Sequence, residues 1–314
     1  MSKVIFMGTP MFAVPSLAAL LNHGHEIAAV VTQPDAPAGR GKALKPSAVK
    51  EYALKHALSV LQPETLKPPE VVEQLRSFEP DLIVVAAFGQ ILRQNVLDLP
   101  RYNCINVHAS LLPRWRGASP ISAAIAAGYH VSGVTIMIME AGLDSGPILS
   151  QREMHIQPDD TTGSLTERLA KLGAELLVET LPKWITHEIK PKKQDEGHVT
   201  LAGRLRKGDG KLDWSKGAPA LERHIRAMTP WPGAWTTWQG KQLKVLQAEN
   251  GITDGLDKRK HANGTVIVNR NHVHVQCASG LLRLVEIQLE GKRAMNADDF
   301  ARGHPNFDGA LLDA

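Results

Sequence analysis

A chain of 314 residues is long enough for about two domains at ~150 residues each. Its 43% hydrophobic and 22% charged content excludes disorder, collagen and coiled coil as global descriptions, and no apolar run approaches the ~20 residues of a membrane-spanning helix. The formal net charge of +4 is unevenly placed: residues 1–190 carry −1 and residues 191–314 carry +5, which points to an anionic partner for the later part.

The opening Met1-Ser2-Lys3 runs straight into an apolar segment, so no signal or transit peptide is expected. Strands are expected at 4–8, 27–33, 82–88, 104–108, 134–139 and 148–156, several of them continuously apolar, as strands buried on both faces are. Helices fall between them near 11–22, 46–58, 68–77, 118–127 and 162–187. This alternation predicts an α/β fold with a doubly wound, mostly parallel sheet. Only a short loop joins 134–139 to 148–156, so those two strands can form an antiparallel pair.

The stretch 190–207 is polar and basic and reads as a linker. Beyond it the grammar changes to one helix at 219–228 and short strands at 234–238, 242–249, 264–269, 272–278 and 281–289, with Asn269-Arg270-Asn271 as a tight connection. Five strands in about 100 residues predict a small β-barrel, for which the oligonucleotide-binding (OB) barrel is one option. The expected organisation is a catalytic domain at 1–189, a basic linker at 190–207 and a barrel at 208–314. Cys104 and Cys277 offer neither a disulfide framework nor a metal motif, which suits a reducing cytoplasm.

Two glycine-containing loops are instructive by what they lack. Gly8-Thr9-Pro10-Met11-Phe12-Ala13 follows the first strand, but Pro10 occupies the position where a dinucleotide fingerprint needs its middle glycine. Ala36-Pro37-Ala38-Gly39-Arg40-Gly41-Lys42-Ala43 lacks both the first glycine and the final Ser/Thr of a nucleotide-triphosphate loop. What remains there is a Pro/Gly loop carrying Arg40, Lys42 and Lys45, either a solvated charged loop or an arm that grips an anion beside the strand ends.

Two segments carry chemistry. Asn106 and His108 lie two apart, on one face, at the carboxyl end of an apolar strand. Such a pair is costly to bury unless it is hydrogen-bonded in the core or used. Gly142-Leu143-Asp144-Ser145-Gly146-Pro147 ends the next strand in a glycine-flanked loop with one acid, which is either a turn former or a functional carboxylate. The methionines of 134–139 read as core filling, and His23/His25 and His272/His274 as surface pairs and not metal ligands.

The Asn106-x-His108 strand end, the Ser110-Leu111-Leu112-Pro113 turn and the Gly142–Pro147 loop together resemble the family that moves a formyl group from or to 10-formyltetrahydrofolate, and the resemblance covers residues 1–190 in order and spacing. The start Val4–Pro10, the loop Pro37–Lys42, Gly208–Trp214 and Arg226–Ala234 are similar to the branch that formylates the methionine of initiator tRNA. The resemblance implies a Rossmann-like formyltransferase domain, 10-formyltetrahydrofolate as co-substrate, no metal, and attack of an amine on the formyl carbon through an oxyanion intermediate. It implies Asn106 as oxyanion donor, His108 as proton relay or charge stabiliser, and Asp144 as the group that orients His108 or accepts the amine proton. The folate is expected against Phe88, Gly89, Ser110, Leu111, Leu112, Pro113 and Gly142.

For the tRNA, Arg40, Lys42, Lys45, Lys192, Lys193, Arg204, Arg206 and Lys207 are expected to contact phosphate. Trp214, Trp231, Trp235 and Trp238 are expected in the core of the barrel and its junction, with base stacking as the other option. The protein is expected to be a cytoplasmic monomer without membrane contact. Two alternatives stay open: a formyltransferase of the same superfamily acting on an amino sugar nucleotide, and a non-catalytic RNA-binding protein.

Overall fold

The computed structural model describes residues 1–38, 43–250, 261–270 and 272–313. The chain folds into two compact units, one built from 1–120, 131–155 and 166–202, the other from 121–130, 156–165 and 203–314.

The first unit holds the strands β1 (Lys3–Gly8), β2 (Glu26–Val31), β3 (Val60–Leu61), β4 (Leu82–Ala86), β5 (Cys104–His108), β6 (Val131–Ile138) and β7 (Ile148–His155). They form one sheet in the order β7-β6-β5-β4-β1-β2-β3. β5, β4, β1, β2 and β3 run parallel, whereas β6 is antiparallel to β5 and β7 antiparallel to β6. The mostly parallel sheet and its antiparallel pair therefore both follow the sequence pattern. Helices form where the pattern placed them: α1 (Val14–Asn22), α2 (Ala48–Lys55) and α3 (Pro69–Ser77) in the first unit, α4 (Pro120–Ala126) almost wholly in residues of the second, and α5 (Thr162–Ile185) after β7, in the first unit from Thr166 onward. Local chemistry sets their starts. The Ser47 hydroxyl caps α2 by accepting the Lys50 N–H at 3.0 Å, and Pro69 opens α3 where a missing N–H costs nothing.

β4 and β5 are buried at every position, which is why their sequences are runs and not alternations. The chain winds outward from β1 through β2 and β3, then returns to the other side of β1 to lay down β4. The reversal puts the crevice of an open α/β sheet beside the carboxyl ends of β1 and β4. A short hairpin, Ala36–Ala38 paired with Ala43–Lys45, follows β2 and has no counterpart in the sequence pattern.

In the second unit, helix α6 (Ala218–Met228) precedes five antiparallel strands: β8 (Ala234–Trp238), β9 (Lys241–Asn250), β10 (Val266–Asn269), β11 (His272–Gln276) and β12 (Leu281–Leu289). Their order is β8-β9-β12-β11-β10, and a sixth, two-residue strand, Met295–Asn296, pairs antiparallel with β12. The tail joins the two edges, with Leu311 pairing Thr265 just before β10 and Asp313 pairing Thr237 in β8. A final helix, α7 (Ala297–Gly303), is set by Asn296, whose side-chain oxygen accepts the N–H groups of Asp298 and Asp299. The sequence pattern does not place this helix. Trp214 and Trp238 are core residues as expected, but Trp231 is 51% exposed and stands outside the core. His274 departs from the expected surface pair, being only 7% exposed. Among the described residues no helix is long and apolar enough to cross a membrane.

Candidate active site

The carboxyl ends of β1, β2 and β4 are tied together by polar groups. The Phe88 carbonyl, just past β4, accepts from Thr9 Oγ1 at 3.0 Å and from Gln33 Nε2 at 3.1 Å. The Phe88 ring is 2% exposed and belongs to the core cluster with Ile5, Met7, Ile83 and Leu92. What this residue presents at the crevice is main chain, not an aromatic face. Gly89 has φ of +85° and leaves the space that Gln33 occupies, since a Cβ there would lie 2.3 Å from Gln33 Nε2.

Asn106 and His108 end β5, opposite Met137 and Thr135 of β6. Asn106 is 8% exposed and His108 6% exposed. Among the described residues the Asn106 amide has no hydrogen-bond partner, which leaves its two N–H donors for a ligand. Buried amides are almost always paired, so an open one at a strand end marks a binding position.

His108 is held by its Nε2, 3.1 Å from the Trp115 carbonyl. A carbonyl only accepts, so Nε2 carries a hydrogen. Nδ1, the nitrogen turned toward Asp144 at 3.7 Å from Oδ2, is then the one without a hydrogen in the neutral ring. At that distance the two groups interact through charge and not through a direct bond. The same Oδ2 of Asp144 accepts the Gly117 N–H at 2.8 Å, so a main-chain donor fixes the carboxylate. Asp144 sits at φ of +46°, a left-handed conformation that Asp tolerates better than most residues. Gly146 closes the loop against β6, where a Cβ would stand 1.9 Å from the Ile138 carbonyl. The fold brings His108 and Asp144 together across 36 residues of chain.

The turn after His108 is built by hydrogen bonds more than by apolar contact. Thr135, fully buried, donates its hydroxyl to the Ser110 carbonyl at 2.6 Å and accepts from the Leu112 N–H at 3.1 Å and Gln151 Nε2 at 2.9 Å. Gln151 Nε2 also reaches the Leu112 carbonyl at 2.8 Å, and the Ser110 hydroxyl donates to the Arg114 carbonyl at 2.6 Å. Leu112 packs with Met137 and Ile148. Leu111 lies half-buried and Pro113 half-buried beside it, while Gly142 is exposed and tight against Ser145 Oγ.

A third segment, missed by sequence reasoning, completes the site. Residues 190–202 of the expected linker are folded onto the first unit. Within them Gln194 is 5% exposed and donates to the Asp144 and Gly146 carbonyls, both at 2.8 Å. Its Oε1 accepts from Arg116 Nε at 3.0 Å, and Arg116 forks onto Glu196 at 2.8 and 3.3 Å. That guanidinium holds the Glu196 carboxyl below its ordinary value. A glutamine between Lys193 and Asp195 carries no motif, and only the three-dimensional fold reveals its partners.

The expected phosphate contacts divide. Lys45, Lys192, Lys193, Arg204, Arg206 and Lys207 are all exposed, whereas Arg40 and Lys42 lie outside the described residues.

With this geometry in place, comparison with known proteins gives the class. Residues 2–181 match the formyl transferase family and residues 204–305 the formyl transferase C-terminal domain. The chain belongs to the formyl transferase family. Its relatives carry a narrower label. The methionyl-tRNA formyltransferase of Methylococcus capsulatus is 48% identical, over 96% of this chain and 97% of its own length. That of Citrifermentans bemidjiense is 45% identical over 99% and 96%. Solved structures are more distant and speak for the fold alone. The N-formyltransferase from Helicobacter canadensis, in complex with folinic acid and dTDP-3-aminofucose, has a TM-score of 0.63 at 17% identity, covering 90% of this chain and 98% of its own. HypX from Aquifex aeolicus, in complex with tetrahydrofolic acid, has a TM-score of 0.64 at 17% identity, covering 98% of this chain and 47% of its own.

Proposed function

We propose that the protein transfers the formyl group of 10-formyltetrahydrofolate to the α-amino group of methionine on initiator tRNA, giving N-formylmethionyl-tRNA and tetrahydrofolate. The observation that carries this reading is identity of 45–48% to methionyl-tRNA formyltransferases over nearly the whole chain.

In the reaction the amine nitrogen bonds to the formyl carbon, the bond from that carbon to the folate nitrogen breaks, and one proton passes in net terms from amine to leaving nitrogen. Asn106 donates its open amide to the oxygen that gains charge, where a neutral donor fixed in place is most useful. His108 takes up and returns a proton at Nδ1. Asp144, held by the Gly117 N–H, stabilises the imidazolium at 3.7 Å or receives the amine proton through water. No step requires a metal. The folate lies along the main chain at Phe88–Gly89, the Ser110–Pro113 turn and Gly142. The tRNA phosphates meet Arg40, Lys42 and Lys45 after β2, then Lys192, Lys193, Arg204, Arg206 and Lys207, with an OB barrel at 208–314 as the larger RNA surface. The enzyme works as a monomer in the cytoplasm.

Acceptor competition tests the reading. Purified protein with 10-formyltetrahydrofolate is offered charged initiator tRNA and a dTDP-amino sugar together. Formylmethionyl-tRNA is the expected product. Formylated sugar with unmodified tRNA overturns the reading, and absence of either product favours an RNA-binding role.

A further inference from the structure

We propose that residues 192–200 act as a clamp that positions His108 and Asp144, with Gln194 as its central positioning residue. The inference rests on the reading of His108 and Asp144 as the reacting pair.

One short stretch supports both members of that pair from behind. On the Asp144 side, Lys192 exchanges both backbone hydrogen bonds with Ile148, at 2.8 Å each, just after the Asp144 loop. Gln194 then spends both amide hydrogens on the loop itself, on the Asp144 and Gly146 carbonyls. On the His108 side, Thr200 Oγ1 accepts the Trp115 N–H at 2.8 Å, and the Trp115 carbonyl is the group that holds His108 Nε2. Arg116 links the two halves. Its Nε–H meets Gln194, its fork meets Glu196, and the next residue, Gly117, gives its N–H to the Asp144 carboxylate.

The Gln194 amide can sit only one way. Arg116 has donors and no acceptor, so Oε1 must face it, and the two carbonyls accept only from Nε2. A flip would set donor against donor and oxygen against two oxygens. Three hydrogen bonds in a site that is 5% exposed therefore specify one arrangement of the loop. The loop needs specification, because Asp144 occupies a left-handed conformation that the surrounding contacts have to maintain. Displacement of a reacting group by about 1 Å costs roughly 100-fold in rate, so the clamp acts on turnover more than on binding. The side chain at 194 faces loop carbonyls and Arg116, not the open amide of Asn106, and substrate affinity is not its task.

The test uses the full-length protein, charged initiator tRNA and 10-formyltetrahydrofolate. Gln194→Met keeps the length of the side chain and removes all three hydrogen bonds. It is expected to lower kcat about 100-fold while KM for both substrates stays within about twofold. Gln194→Glu presents a carboxylate to two carbonyls, and its rate relative to wild type is expected to recover as pH falls and the new group regains a donor hydrogen. Loss of packing alone would give no such pH-dependent ratio. Should Gln194→Met fail to fold by circular dichroism, Glu196→Gln decides, since that side chain is 65% exposed; a fall in kcat of about threefold to fivefold is expected. A folded Gln194→Met with kcat within about twofold of wild type, or an unchanged Glu196→Gln where the first variant does not fold, overturns the clamp. Asp144→Asn serves as the reference. If it too turns over normally, the reading of the site has failed; if it is inactive while Gln194→Met is normal, the clamp alone has failed.

Discussion

The two units differ in where their polar groups gather. In the first, polar side chains from β5, β6, the Asp144 loop and residues 192–200 converge on one strand end, and nearly every donor there has a named acceptor. Asn106, near the end of β5, keeps an open amide among these paired groups. Buried polar atoms without hydrogen-bond partners occur away from that point in both units, Ser16 Oγ, His25 Nδ1 and Gln90 Oε1 in the first and His224 Nε2 and His274 Nδ1 in the second, and the second unit carries Arg204, Arg206 and Lys207 exposed at its surface. Convergence is what chemistry requires, because a transition state needs several groups aimed at one point. Surface charge without such convergence is the pattern that binding to a polyanion requires.

The sharpest way to break this contrast is Asp144→Asn. The substitution keeps shape and the Gly117 contact while removing the negative charge that faces His108. Turnover is expected to drop by about 10³-fold with thermal stability nearly unchanged, in the range seen when a fixed electrostatic group is lost. A tenfold effect or less, measured in single-turnover formylation, would mean that the first unit's convergence is structural and that its chemistry lies elsewhere.

A smaller effect is expected from the surface cations. Replacing Arg204, Arg206 and Lys207 by Ala should weaken tRNA binding, leave folate KM unchanged and reduce the salt slope of binding by roughly 0.7–0.9 for each phosphate that is no longer neutralised. If kcat falls instead and the slope holds, these residues belong to the catalytic geometry and the division of labour between the units is misdrawn.

Much of this contrast is legible from residue order. β5 is recognisable at 104–108 because an apolar run ends in Asn106-x-His108, and a strand buried on both faces has no other pattern. Helices α1 to α6 and strands β8 to β12 follow from periodicity and turn residues. What escapes does so for different physical reasons, of which contact distant along the chain is the chief one at the site. Gln194 reads as one more polar residue in a charged stretch until its carbonyl partners, about 50 positions away, are brought to it. The hairpin at Ala36–Ala38 and Ala43–Lys45 is obscured by its proline, and the helix α7 by its short, acidic sequence. His274 is misplaced at the surface because strand alternation gives the face of a residue and not what covers it.

The smallest expected effect concerns stability and tests the buried atoms that lie unpaired away from the site. Burial lowers the His224 and His274 values below the ordinary 6.5, with further lowering at His224 from Lys216 and at His274 from His272 and Arg283. Asp209 opposes the shift at the first, and the His272 main chain and Asp298 oppose it at the second. Both rings are neutral in the folded state near neutral pH, while the same groups in the unfolded chain begin to charge as pH falls through about 6.5. The unfolded state then binds more protons, so stability declines below that pH until the folded values are reached. Wild type should therefore melt a few degrees lower at about pH 5.5 than at about pH 8, and the double variant His224→Gln, His274→Gln should lose part of that difference. His25 of the first unit is lowered too, by burial and by the positive charges of the amino terminus and His23. His25→Gln provides the matched control: if it removes as much acid sensitivity as the double variant, the imbalance of unpaired histidines between the units has no thermodynamic weight.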